Sequence, residues 1–119
     1  MGVVLIYGSA LPNNKAASGD GGCLNTKLST ATILNCTMSN NEARYNGGAV
    51  YAFQTVIEMQ ESNFVSNTAN DGGAISALTT PQLLLRDCNL TSNTVVQLGG
   101  AVYCNSGTVS LEGSLLKWN

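Results

Sequence analysis

Residues 62–77 read Ser-Asn-Phe-Val-Ser-Asn-Thr-Ala-Asn-Asp-Gly-Gly-Ala-Ile-Ser-Ala, and two anchors inside this stretch decide the fold. One is an apolar residue three positions before an Asn (Phe64/Asn67), the other a Gly-Gly pair (Gly72-Gly73). Gly-Gly pairs begin at 21, 47, 72 and 99, spacings of 26, 25 and 27 residues. The apolar/Asn anchor recurs as Leu11/Asn14, Met38/Asn41, Phe64/Asn67, Leu90/Asn93 and Leu116/Asn119, with Asn spacings of 27, 26, 26 and 26. Self-similarity at a fixed period of this length marks a stacked repeat.

Counting back from each Asn sharpens the frame. Five residues before it stand Ser9, Cys36, Ser62, Cys88 and Ser114; eight before, Ile6, Ile33, Met59, Leu85 and Leu111; ten before, Val4, Ala31, Ile57, Leu83 and Val109. After Gly-Gly, the second residue is Leu24, Val50, Ile75 or Val102, and two further on come Thr26, Ala52, Ala77 and Cys104. Apolar columns two apart have the period of a strand, not of a helix. The residues between them (Thr32, Glu58, Leu84, Ser110) point outward. The pattern predicts three short strands per coil: one opened by Gly-Gly, one carrying the aliphatic pair, and one leading to the Asn.

Such a coil cannot bury its inner face alone. Stacked on copies of itself it pairs each strand in parallel with the coil above and below, at roughly 4.8 Å per coil. An antiparallel meander is disfavoured, because no two-residue Asn-Gly loop joins consecutive runs; Tyr45-Asn46-Gly47 is the nearest such signal, and it falls at a coil-to-coil turn. The fold expected is therefore all-β, a right-handed parallel β-helix of about 26 residues per coil and roughly four to five coils, spanning 1–119 as one segment. Its anchors are Gly21, Gly22, Gly47, Gly48, Gly72, Gly73, Gly99 and Gly100, with Asn14, Asn41, Phe64, Asn67, Asn93 and Asn119. Gly-Gly supplies positive φ and close backbone approach. The Asn residues tolerate left-handed dihedrals and can stack their amides into a ladder. Asp20 and Asp71, each directly before Gly-Gly, are expected to cap the turn through backbone N–H groups.

Composition agrees. Charged residues are 10% of the chain and apolar ones 44%, too few charges and too much apolar surface for a disordered chain. A net charge of −2 with five basic residues gives no footprint for nucleic acid or an anionic membrane. No run reaches the roughly 20 apolar residues of a membrane helix, so direct membrane insertion is not expected. The opening Gly2-Val3-Val4-Leu5-Ile6-Tyr7 lacks a basic leader and fits the repeat. Cys23, Cys36, Cys88 and Cys104 form no CxxC pair and the chain has no His, so neither a metal site nor a cofactor is expected.

Gly47-Gly48-Ala49-Val50, Gly72-Gly73-Ala74-Ile75 and Gly99-Gly100-Ala101-Val102, together with Phe64-Val65-Ser66-Asn67, resemble the repeats of the chlamydial polymorphic outer-membrane protein family. The family pairs GGA plus Ile, Leu or Val with FxxN in a secreted passenger region read as a β-helix, followed by a membrane-embedded barrel. The resemblance runs through nearly the whole chain and implies an extracellular or cell-surface location. FxxN is literal once, and the first coil has Gly21-Gly22-Cys23-Leu24 in place of the GGA motif. No catalytic residue carries over.

Glu61 and Asp87 share an outward column in adjacent coils, with Arg86 beside them, the arrangement a polysaccharide lyase or hydrolase would need; solvated bend residues are the plainer reading. Outward Thr30, Thr32, Thr37, Thr55 and Thr108 scatter over columns and form no flat ice-binding face. Cys36 and Cys88 lie two coils apart, beyond the reach of a disulfide; Cys88 and Cys104 both point inward in neighbouring coils and are the candidate pair, with small buried residues interchangeable with Ser and Ala as the favoured reading. Asn35-Cys36-Thr37 and Asn89-Leu90-Thr91 are glycosylation sequons with outward Asn. Tyr51 and Tyr103 share a column two coils apart, either a carbohydrate-stacking strip or plain surface, and Trp118 stands outward.

The expected function is an extracellular structural or adhesive surface module without catalysis, with a carbohydrate-binding or carbohydrate-active β-helix as the alternative. Expected partners are further β-helix coils or other chains at the ends, and a host receptor or glycan. Both ends read as uncapped, as in part of a longer β-helix or a segment docking on further coils, and open strand edges invite pairing. The isolated 119-residue chain is thus expected to self-associate; light scattering checks this, and a strictly monomeric, stable chain would contradict it.

Overall fold

The computed structural model describes residues 2–119, which form strands and turns with no helix. Eighteen short strands fall into four parallel sheets. Sheet A stacks β1 (Gly2–Tyr7), β5 (Ser29–Leu34), β9 (Val56–Gln60), β13 (Gln82–Arg86) and β17 (Thr108–Glu112). Sheet B stacks β2 (Ala10–Pro12), β6 (Thr37–Ser39), β10 (Asn63–Val65), β14 (Asn89–Thr91) and β18 (Leu115–Lys117). Sheet C holds β3 (Lys15–Ala16), β7 (Glu42–Ala43), β11 (Thr68–Asp71) and β15 (Thr94–Leu98). Sheet D holds β4 (Leu24–Lys27), β8 (Val50–Phe53), β12 (Ile75–Leu78) and β16 (Val102–Asn105). The chain visits A, B, C and D in turn and repeats, giving a β-solenoid of about four turns.

The register is the one the columns require. Phe64 pairs with Met38 below and Leu90 above, and Ile57 and Met59 lie between Ala31 and Ile33 on one side and Leu83 and Leu85 on the other. These residues, with Val50, Ala52, Ile75, Ala77 and the Ala49 and Ala74 that follow Gly-Gly, form the single core. Phe64, Ile33, Met38, Ile57, Met59, Leu83, Leu85 and Leu90 are fully buried. Parallel strands with the same residue class inside at every level lose no side-chain fit from coil to coil.

Sheet C corrects the expectation of three strands per coil. Two residues after each ladder Asn stand Ala16, Ala43, Ala69 and Val95; Ala43 and Ala69 are buried. The inward residue is small and the strand as short as two residues, so it carries little of the apolar periodicity that reveals the other three.

One left-handed residue turns each corner. Between sheets A and B it is Gly8, Asn35, Glu61, Asp87 or Gly113; between B and C, Asn13, Asn40, Ser66, Ser92 or Trp118; between C and D, Gly21, Gly47, Gly72 or Gly99; between D and A, Leu28, Gln54, Thr79 or Ser106. Positive φ costs a non-Gly residue roughly 1–3 kcal/mol, and it persists here because strands on both sides fix the corner. The ladder Asn is therefore not the left-handed residue; the residue before it is. The second Gly of each pair has the other duty. A Cβ on Gly48 would lie 2.6 Å from the Thr68 nitrogen and would clash with the Gly73 carbonyl oxygen, so only hydrogen fits between successive coils.

The ladder itself is continuous. The Oδ1 of Asn67 accepts from the backbone N–H and the Nδ2 of Asn41, each at 3.0 Å. Asn67 in turn donates its backbone N–H and Nδ2 to Asn93 Oδ1 at 2.9 and 3.0 Å, and the second Nδ2 proton goes to the Met38 carbonyl at 3.0 Å. Asn14 extends the chain below and Asn119 above. Asn67 and Asn93 are completely buried with every donor and acceptor used, as burial of an amide requires. Replacing Asn67 by Ala removes the acceptor of the Asn41 N–H and of one Asn41 Nδ2 proton, and the side-chain donor to the Met38 carbonyl. At about 1–3 kcal/mol per stranded group, urea denaturation should show a loss of at least about 3 kcal/mol for Asn67→Ala, and a much smaller loss for Asn119→Ala at the exposed end.

Candidate functional site

The outer surface carries whatever function the fold has, because the interior is packed and no cavity opens among the described residues. Each sheet presents every second residue outward. On sheet A these are Val3, Thr30, Val56, Gln82 and Thr108 in one column, Leu5, Thr32, Glu58, Leu84 and Ser110 in the next, and Tyr7, Leu34, Gln60, Arg86 and Glu112 in the third. On sheet B they are mostly small and polar, with Asn89 Nδ2 donating to Asn63 Oδ1 at 3.0 Å.

Arg86 does not join the acidic candidates Glu61 and Asp87. Glu61 and Asp87 occupy the same A/B corner in adjacent coils, as expected, and both are exposed. Arg86 turns away from them along sheet A: its Nε donates to Glu112 Oε2 at 3.0 Å and its Nη1 to Glu58 Oε1 at 3.4 Å. The reason is the pleat, which sets residue 86 in the outward column shared with Glu112, while the corner residues project at the edge. The hydrogen bond and charge of Glu112 hold the guanidinium in its charged form. What remains is a surface ion-pair row, worth little to stability.

Asp20 and Asp71 act as caps, but on the next coil. Asp20 Oδ1 accepts from the backbone N–H of Asn46 at 3.0 Å and its Nδ2 at 2.8 Å; Asp71 Oδ1 accepts from the Leu98 N–H at 3.0 Å. Thr55, expected outside, is fully buried and donates to the Phe53 carbonyl. Asn35 and Asn89 are exposed at the corner and on sheet B respectively. Among the described residues no cluster of potential ligands gathers at metal-binding spacing.

All four cysteines are free thiols. Cys88 and Cys104, the candidate pair, belong to one coil, at its A/B corner and on sheet D. Cys88 Sγ donates to the Met59 and Arg86 carbonyls, each at 3.4 Å, which directs it toward the preceding coil. Its column shows why a small hydrogen-bonding residue recurs there. Ser62 and Ser114 bond the carbonyl two residues back in the same way, and their hydroxyls accept from the Cys36 and Cys88 N–H groups of the coil below. Cysteine fills a serine-like structural position.

Burial pushes the thiols of Cys23, Cys88 and Cys104 above their ordinary range; a weaker contribution at Cys23 comes from nearby Cys36. A group with a raised folded-state pKa retains its proton after the unfolded chain has lost it, so stability is full at neutral pH and declines as pH climbs through and beyond the ordinary thiol value of about 8.5. Thermal melts between pH 7 and 10 should show this decline. It should shrink in Cys88→Ser, whose side chain the neighbouring coils already carry at that corner.

The fold defines a class, a parallel β-solenoid of about four turns with about 26 residues per coil. Two segments, residues 35–52 and 61–78, match the family model of the Chlamydia polymorphic membrane protein repeat, and the chain carries this repeat in two successive coils. Each matched segment begins at the left-handed A/B corner (Asn35, Glu61), passes the ladder Asn and Gly-Gly, and ends on sheet D. No curated protein and no solved structure matches the chain.

Proposed function

We propose that the chain is an extracellular structural and adhesive module, displayed at a cell surface, whose coils extend and present outer faces without catalysing a reaction. The observation that carries this reading is that, in the two turns it matches, the repeat spans the residues that build one coil onto the next. Residues 35–52 and 61–78 contain the corner, ladder and Gly-Gly elements that stack one coil on the next. Corners of one left-handed residue leave no long loops to wall a groove, and Arg86 is held by Glu58 and Glu112.

Further β-helix coils are the partner this reading expects. At the last coil the inward-column residues Val109, Leu111 and Leu116 are 37, 48 and 42% exposed, whereas their counterparts Leu83, Leu85 and Leu90 one coil below are fully buried. A further parallel coil would cover them, which makes β-helix coils the natural occupant of that surface. The outer faces are left to meet a receptor or glycan. Beads coated with the purified chain should be retained on cultured epithelial cells above albumin-coated beads, and Asn67→Asp, which sets a carboxylate against the Met38 carbonyl and the Asn93 Oδ1, should abolish the difference by disrupting the stack. Equal retention of chain and albumin would overturn the adhesive part of the reading.

A further inference from the structure

The outer face of sheet D differs from the others. Its two outward columns are Asn25, Tyr51, Ser76, Tyr103 and Lys27, Phe53, Leu78, Asn105. The middle of this face is aromatic and apolar, and its margins are amides. Lys27 is the one charged residue in either column, and neither contains a carboxylate.

Ser76 is the anomaly. It faces outward between two tyrosines of its own column, yet it is fully buried. Among the described residues its Oγ is the one buried side-chain N or O atom with no hydrogen-bond partner. Buried polar atoms are almost always paired, so an orphan of this kind calls for a cause. Tyr103 on one side is half-buried, its hydroxyl accepting from Asn105 Nδ2 at 3.3 Å. Tyr51 on the other side is 7% exposed, and burial followed by the charge of Asp20 raises its phenol pKa.

Tyr51 and Tyr103 are two coils apart, about 9.6 Å at the usual strand spacing. That is close to the length of a disaccharide unit in an extended β-1,4-linked glycan. Tyrosine offers a flat apolar face with a polar tip, suited to the C–H face of a sugar ring. Near-neutrality of the face fits an uncharged ligand, and a single lysine cannot hold a nucleic-acid backbone.

We propose that the outer face of sheet D binds a neutral, extended oligosaccharide lying along the solenoid axis, with alternate sugar rings stacked on Tyr103 and Tyr51 and the ring between them hydrogen-bonded to Ser76. Rotation of the Tyr51 ring away from Ser76 exposes the stacking face and the hydroxyl together. Asn25 and Asn105, both exposed, border the track as amide donors and acceptors. The inference rests on the surface-module reading for where the glycan is met, and names the ligand class that reading leaves open.

The test is an amide NMR titration of the 119-residue chain with cellohexaose and, separately, chitohexaose. Shifts should concentrate at Ser76, Tyr103 and Asn105. Tyr103→Ala should weaken binding by about tenfold or more, Tyr103→Phe should retain it, and Tyr7→Ala, on the outer face of sheet A, should leave it unchanged. Ser76→Ala is the sharper variant. Deleting an unpaired hydroxyl should hold or raise the melting temperature while lowering affinity severalfold, a combination that a purely structural serine would not give. Absence of shifts with both hexaoses, shifts confined to other faces, or unchanged affinity in Tyr103→Ala and Ser76→Ala would overturn the proposal. Bead adhesion retained without any glycan shift would overturn it while leaving the surface-module reading standing.

Discussion

Every backbone group in this protein depends on the coil next door. Strands of two to six residues have no partner within their own turn, so their N–H and C=O groups are satisfied only by parallel neighbours one repeat away. That dependence makes register the governing constraint. A one-residue slip between coils would invert every side chain, sending Phe64 outward and Val65 into the core. The buried Asn ladder guards against it, because an amide moved by one residue would lose its four partners in a medium where nothing replaces them. Hydrophobic burial supplies most of the driving force; the ladder and the Gly-Gly approach supply the alignment.

The corners show how little chain is needed to turn. Elsewhere a change of direction usually takes a loop of several residues; here each of the four corners of a turn contains one left-handed residue, and the A/B and B/C connections are two residues long, while the C/D connection runs to seven residues in the first turn. Gly occupies the C/D corner in every turn, where a Cβ would strike the carbonyl three residues on in the same turn, and the other corners also accept Asn, Ser, Asp, Glu, Gln, Thr, Leu and Trp. The gradation follows steric room. Close backbone contact demands Gly, whereas an open corner tolerates the strain of a larger residue that projects into solvent.

The parallel stacking, the coil length, the inward columns and the ladder were legible in the sequence, because each rests on one residue class recurring at one period. Sheet C was not, since Ala16, Ala43, Ala69 and Val95 are too small and too close to the Asn to stand out as a strand. The left-handed positions were displaced by one residue, from Asn67 to Ser66 for example, because backbone dihedrals leave only a weak compositional trace when Ser, Asn and Trp share a corner. Side-chain pairings across the surface were the least accessible. The columns place Glu61, Asp87 and Arg86 near one another, but the pleat sends Arg86 to Glu58 and Glu112. The orphan hydroxyl of Ser76 has no sequence signature, since nothing in the sequence separates it from Ser9, Ser29, Ser62 and Ser114, which bond the carbonyl two residues back.

The Asn ladder also has a sense. From Asn14 through to Asn119, each rung donates its backbone N–H and one Nδ2 proton to the Oδ1 of the next Asn, while from Asn41 on the other Nδ2 proton turns back to a carbonyl of the coil below. An array polarised in this way is indifferent to its own length: duplicating or deleting one whole coil returns the same acceptor to the same donor, while a gain or loss of a few residues does not. Recombination between repeats can therefore lengthen or shorten such a solenoid in steps of one turn without redesigning either neighbour. The length of the solenoid becomes a trait that varies by counting.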